Sequence, residues 1–333
     1  MARLLFEAPA RLGLSRLWVR VNRSAVAVLL LHGVLPDADC SPFNSTGKFV
    51  SPQKLRTFLE RIGRLYRILP ADQAVRSLAS GRSPVNAMVV TFDDGYANNY
   101  EHALPVLGAM GLPFTVFVTA GYVDSDTVLW NDRLEFAVFS TARRTIPPGL
   151  VPAEIAIATP RQKSQATARL KHFLKARPSS EAALVVDELC GYLGADPGSR
   201  KLDDVRFMTG DQVRKMAAAG VTLGAHGVTH AILSREKPDR VRAEVVESKK
   251  LLETLSGRPV DLFAYPNGRP EDFNAEVKRQ LADAGYEGSF TSVYGLCKPG
   301  GDLLEIPRIP LDNRWSYPEF ETRASGVLEV LRR

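Results

Sequence analysis

Two adjacent carboxylates and two closely spaced imidazoles carry most of the chemistry this 333-residue sequence offers. Asp93 and Asp94 lie in Val-Val-Thr-Phe-Asp-Asp-Gly-Tyr, residues 89–96, and His226 and His230 stand four apart in Gly-Ala-His-Gly-Val-Thr-His, residues 224–230. Successive side chains of a strand point to opposite faces, so the two aspartates share a site only if the strand ends there and Gly95 lets the chain turn. Two histidines four apart on a helical turn share a face, close enough to hold one metal ion at about 2.0–2.1 Å per nitrogen. Taken singly, H-x-x-x-H also suits two unrelated hydrogen-bonded histidines, and Asp-Asp-Gly a strand-end turn or helix cap. Taken together, they describe a hydrolytic set: two histidines and one carboxylate around a divalent cation, with a second carboxylate placed to accept a proton.

Such a set needs a scaffold that gathers strand ends. Short apolar runs alternate with helical patterns along most of the chain, the signature of βα units around a parallel sheet or barrel. Strands are expected near 25–31, 87–92, 114–118, 221–224, 260–264, 288–291 and 304–309. In barrels, sites gather at the C-terminal ends of several strands, where both motifs fall. Residues 52–69, opening on Ser51-Pro52 with Leu55, Phe58, Leu59, Ile62 and Leu65 on one face, and residues 209–219, opening on Thr209, read as amphipathic helices. Residues 131 to about 205 break the rhythm and read as a largely helical insertion able to cap a site.

Composition bounds the reading. With 45% hydrophobic residues the chain can bury a sizeable core, and residues 25–333 read as one domain. Net charge is +6, but bases are interspersed with acids and no nucleic-acid-binding signature appears, so no nucleic-acid partner is expected. Three cysteines, Cys40, Cys190 and Cys297, are odd in number and far apart, which argues against a disulfide framework and points to a reducing, cytoplasmic setting. No apolar run is long enough to span a bilayer, and residues 25–34 read as a buried strand rather than a signal peptide. The basic segment 1–24 mixes Leu4, Leu5, Leu12, Leu17 and Trp18 with five arginines. It suits a helix packed on the domain or peripheral contact with the inner membrane face.

The motifs resemble those of the polysaccharide deacetylases, carbohydrate esterase family 4. Thr91-Phe92-Asp93-Asp94-Gly95 matches the family's T-F-D-D-G, and His226-Gly227-Val228-Thr229-His230 matches its H-[ST]-x-x-H except at Gly227. Flanking text is similar over residues 26–310. The resemblance implies an α/β fold, a distorted (β/α) barrel of about seven parallel strands with a helical insertion. It implies that Asp94, His226 and His230 hold a divalent metal, zinc first, with cobalt, nickel or iron as alternatives. It further implies that Asp93 is the general base and that the backbone N–H of Tyr96 helps bind the developing oxyanion.

The departures shape the remaining expectations. The family's third motif, R-x-P, appears as Phe263-Ala264-Tyr265-Pro266-Asn267-Gly268, and its late leucine-x-histidine is absent because no histidine follows His230. His32, ending the first strand, is the candidate general acid, since branches resembling exopolysaccharide deacetylases carry a histidine there. Arg308 is placed to pair with Asp93. Trp130 and Asp132 are expected to wall a sugar groove, with Tyr265 and Pro266 as groove or filling. His102 and His172 read as surface residues.

The expected activity is metal-dependent hydrolysis of an N-acetyl group from an amino sugar in a polysaccharide or lipid-linked saccharide. A glycoside hydrolase does not fit, because adjacent Asp93 and Asp94 cannot flank a bond at the roughly 5–9.5 Å such enzymes need. A catalytically silent saccharide-binding protein, or a formyl or acyl amidase on a lipid-linked sugar, remain alternatives. Sugar identity and oligomeric state are left open.

Overall fold

The computed structural model describes residues 2–45, 47–196 and 199–331. Pro197 and Gly198 of the expected insertion, and the side chains of Leu4 and Leu5, lie outside the described residues. Seven parallel strands close into a barrel: β1 Val26–Leu31, β2 Ala87–Phe92, β3 Thr115–Val118, β4 Thr222–Ala225, β5 Leu262–Ala264, β6 Gly288–Tyr294 and β7 Ile306–Pro310. Around the ring the order is β1-β7-β6-β5-β4-β3-β2, and β2 pairs back onto β1. This is the distorted (β/α) barrel with surrounding helices that the sequence led us to expect.

The apolar runs become strands because both faces are covered. Val-Ala-Val-Leu-Leu-Leu in β1 and Ala-Met-Val-Val-Thr-Phe in β2 are buried at every position, as a parallel sheet lined by helices requires. Alternate residues divide between two cores. Val26, Val28, Val89, Phe117, Phe290 and Ile306 fill the lumen, closed at the strands' N-terminal end by Ala71, Ala74 and Val75 of the helix Ala71–Ala79. Ala27, Leu29, Leu31, Val90 and Phe92 face outward onto the helices. The β1–β2 register pairs Leu31 with Phe92, so His32 and Asp93 emerge side by side.

The helix expected over 52–69 spans only Pro52–Ile62, capped by Ser51. The rest of that segment turns at Gly63, and Arg67–Ile68 adds an edge strand outside β2. Pairing of backbone groups with β2 outweighs the helical spacing of Leu65.

Between β3 and β4, helices Trp130–Ser140, Pro160–Lys175 and Ser179–Leu193 share a core of their own, including Leu134, Val138, Leu170, Leu174, Val186 and Leu189. Two fully buried acids on the first helix tie this layer to the loop after β1. Asp132 pairs with Lys48, and Glu135 accepts from the Ser45 backbone N–H at 3.1 Å while Lys171 pairs with it at 2.6 Å.

Candidate active site

The site grows from two places where a strand stops and the backbone turns left-handed. β2 ends at Phe92, and Asp94 (φ 73°) and Gly95 (φ 83°) then turn the chain back across the barrel mouth. A Cβ on Gly95 would lie 3.0 Å from Val118 Cγ1 and 3.1 Å from its Cα, so the turn requires glycine by space as well as by φ. After β4, Gly227 (φ 75°) and His230 (φ 57°) bend the His226–His230 segment into a tight loop rather than a helical turn. Left-handed backbone at non-glycine residues is costly and gathers at functional sites, where surrounding structure enforces it.

These turns separate the paired aspartates. Asp94 faces the histidines: its Oδ1 lies 3.5 Å from His226 Nε2 and 3.3 Å from His230 Nε2. His226 Nδ1 lies 2.7 Å from the Ala264 carbonyl, so the proton sits on Nδ1 and Nε2 keeps the lone pair a metal ion needs. His230 Nδ1 is buried and has no partner among the described residues. One donor atom from each of Asp94, His226 and His230 lies within 4.8 Å of the others, and all three residues are buried. Two imidazole nitrogens and a carboxylate oxygen, converging in this way, are a donor set that fits a divalent cation.

Asp93 faces the other way, into the lumen. Arg308 grips it with two parallel bonds, Nη1 to Oδ1 and Nη2 to Oδ2, each 2.7 Å. The guanidinium is 1% exposed and is held by Nε donating to the Thr291 carbonyl at 2.7 Å and Nη1 to Thr91 Oγ1 at 3.1 Å. Burial would raise the Asp93 carboxyl, but Arg308 and the nearby His226 outweigh it and hold the group below the usual carboxylate range.

His32 joins this cluster from the end of β1. Its carbonyl accepts from Asn99 Nδ2 at 2.9 Å, and its half-buried ring lies in the field of Asp94 and Asp93. Burial lowers its basicity, and the attraction of the two carboxylates only partly offsets this. Tyr96 contributes twice. Among the described residues no acceptor takes its backbone N–H, while its fully buried ring stacks on Phe207 and its hydroxyl donates to Asp132 Oδ2 at 2.6 Å.

Of the candidate groove residues, Asp132 is buried against expectation and Tyr265 as the filling alternative. Asp132 is fully buried, bound by Lys48 and Tyr96, and supports the site from behind because its charge needs both partners to leave water. Tyr265 is 1% exposed, stacks on Phe273 at 4.3 Å and donates to the Leu304 carbonyl, so it is filling. Pro266 is buried near Gly227, and Trp130 is half-buried against the core of the insertion. His172 is exposed, and His102 is half-buried away from the metal-type cluster.

Three contributors escaped sequence reasoning. Lys48, in the loop after β1, pairs with Asp132 and lies 3.4 Å from the Tyr96 hydroxyl. Lys175, ending the helix Pro160–Lys175, is pushed down to about 8 by burial, with Arg269 and Lys171 adding to the effect and Asp272 and Asp94 opposing it. Glu244 is fully buried and accepts from the N–H groups of Val228 and Thr229, at 2.6 and 2.9 Å, and from Thr229 Oγ1 at 2.6 Å. A Cβ on Gly227 would sit 2.9 Å from Glu244 Oε2, so this carboxylate occupies the space a side chain at 227 would need. Glycine at 227, where the resembling motif has Ser or Thr, was the one sequence signal of it.

The polysaccharide deacetylase family model matches residues 80–289, spanning both motifs and the strands that carry them. The chain belongs to the polysaccharide deacetylase family. A Bacillus subtilis (strain 168) family protein, YxkH, is 20% identical over 256 residues, and the match spans 77% of this chain and 62% of the length of that relative. Solved structures share the deacetylase fold. Streptococcus pyogenes deacetylase PplD, solved in complex with acetate, superposes with a TM-score of 0.59 at 17% identity, covering 90% of this chain and 97% of its own. IcaB from Ammonifex degensii gives 0.56 at 19%, covering 90% and 97%. A de-N-acetylase from Aggregatibacter actinomycetemcomitans gives 0.55 at 17%, covering 90% and 99%.

Proposed function

We propose that this chain is a metal-dependent hydrolase that removes the acetyl group from the nitrogen of an amino sugar in a polysaccharide or lipid-linked saccharide. The observation that carries the reading is the division of the aspartate pair, with Asp94 turned to His226 and His230 and Asp93 held by Arg308. Asp94, His226 and His230 would hold a divalent cation, zinc by default, which would supply Lewis acidity and lower the pKa of water in the site.

The protein's own groups divide the remaining work. Asp93 takes a proton from the water as its oxygen adds to the acetyl carbon, and Arg308 keeps that carboxylate ionised and in one rotamer. The Tyr96 N–H donates to the acetyl oxygen as it gains negative charge. His32 gives a proton to the sugar nitrogen as the C–N bond breaks, and the proton held on Asp93 replaces it, leaving acetate and a free amine. Membership of the family supports the deacetylation, and acetate bound to the PplD neighbour agrees with it.

The test is acetate release from an N-acetylated chito-oligosaccharide by protein stripped with chelator and then reloaded with zinc. Release that depends on reloading, together with loss of bound metal in Asp94→Ala, is the expected result. Undiminished release after exhaustive chelation, or a wild-type protein that binds no divalent metal, overturns the reading.

A further inference from the structure

Exposed large hydrophobic side chains are not spread evenly over this surface. Leu12, Leu14, Leu17 and Val21, exposed by 73%, 43%, 54% and 60%, fall within ten consecutive residues. Three of them ride on the helix Leu14–Val21 at i, i+3 and i+7, which places them on one stripe. The stripe is held rigidly outward, because the opposite side of the helix is anchored. Val19 is buried in the core beside the barrel, Ser15 bonds to Glu321, and just past the helix Asn22 Nδ2 donates to the Ser325 carbonyl at 3.0 Å.

The charge carried by this helix has one sign. Arg16 and Arg20 form the adjacent row of the same helix and Arg23 follows it; all three are exposed, and none makes an ion pair among the described residues. No Asp or Glu occurs between Glu7 and Asp37, and Glu7 is taken by Arg11. An apolar ridge flanked by unpaired arginines suits a bilayer with acidic headgroups, where leucines enter the headgroup–acyl boundary and each cation gains from the surface potential. A second copy suits it poorly, since a two-fold contact would bring the arginine rows together. No described helix is long and apolar enough to cross a membrane.

We propose that the outer face of the helix Leu14–Val21, with Leu12, docks on an anionic lipid bilayer: Leu12, Leu14, Leu17 and Val21 insert, and Arg16, Arg20 and Arg23 pair with acidic headgroups. The helix leads into the N-terminal end of β1, whereas His32 leaves the C-terminal end, so docking leaves the barrel mouth uncovered.

Co-sedimentation of the full chain with vesicles of phosphatidylcholine alone, or mixed with phosphatidylglycerol, tests this. The wild type is expected to bind the mixed vesicles only, and less as salt rises. The triple variant Leu14→Ser, Leu17→Ser, Val21→Ser should lose about tenfold or more of that binding, and Arg16→Gln with Arg20→Gln should weaken it and flatten its salt dependence. Near-ultraviolet circular dichroism identical to wild type shows that these surface variants are folded. Equal binding to both vesicle types, no binding to either, or a folded triple variant that binds like wild type overturns the proposal. So does a dimer in sedimentation velocity that the triple variant abolishes, because the face then belongs to a second copy.

Discussion

Arg308 and Asp93, 215 residues apart in sequence, meet in a bidentate pair with both N–O distances at 2.7 Å inside the barrel lumen. The pair joins support to chemistry: the arginine fills the core, and the carboxylate it orients lies within the electrostatic reach of His226 and His32.

Asp93→Asn should therefore keep the metal and the fold but lower kcat by about 10²–10⁴-fold, the range for a lost general base. Arg308→Met leaves a buried carboxylate without its cation and should cost about 3–5 kcal/mol in urea unfolding. Because the Asp93 carboxyl is held low in the folded state, its contribution to stability is full above the unfolded value of 3.8 and is lost as pH falls through the lower folded value. Urea midpoints measured from pH 6 downward should show that acid limb in the wild type and not in Arg308→Met. A variant with unchanged stability and acid profile would mean the pair does not hold the carboxylate.

His32→Ala should lower kcat by about 10²-fold or more with metal content unchanged, as expected for a proton donor that touches substrate but not the cation. Metal analysis of the purified variant separates this from loss of the metal. A variant with wild-type kcat assigns the donor to another group.

Glu244 shapes the histidine loop from outside it. Glu244→Ala should weaken metal binding by about 10–100-fold in chelator competition, since three donors on the loop lose their acceptor. Gly227→Ser should do the same from the other side, because its Cβ would meet the Glu244 carboxylate at 2.9 Å on a left-handed backbone. Wild-type metal affinity in both variants would show that the loop holds its shape without this contact.

Lys175 gives an alkaline signature. Its ammonium, at about 8 when folded and 10.5 as the ordinary value, binds a proton more weakly in the folded chain. Between those values the unfolded chain carries the extra proton, so stability rises with pH; below about 8 both states are protonated and the penalty is constant. Lys175→Met should accordingly be more stable than wild type at pH 7, with the gap closing toward pH 10.5 in urea unfolding. A gap that is absent at pH 7, or that widens with pH, contradicts the burial of that charge.

The sequence by itself determined the strand ends and the donor set. Apolar runs such as Val26–Leu31 and Ala87–Phe92 can be satisfied only between covering layers, and Asp93-Asp94-Gly95 and His226 to His230 lie where those runs stop. Local chemistry was enough for that, because strand length, turn and ligand type are written in neighbouring residues. The pairing of Arg308 with Asp93 is an expectation from strand ends, and that of Asp94 with the histidines one from motif resemblance; tertiary structure alone decided that Asp132 and Tyr265 are buried and that Glu244 clamps the loop from a neighbouring helix. Those outcomes depend on barrel closure and on the desolvation of each charge. A periodic pattern does not encode either, since a charged residue on a helix reads the same whether it faces water or a backbone amide.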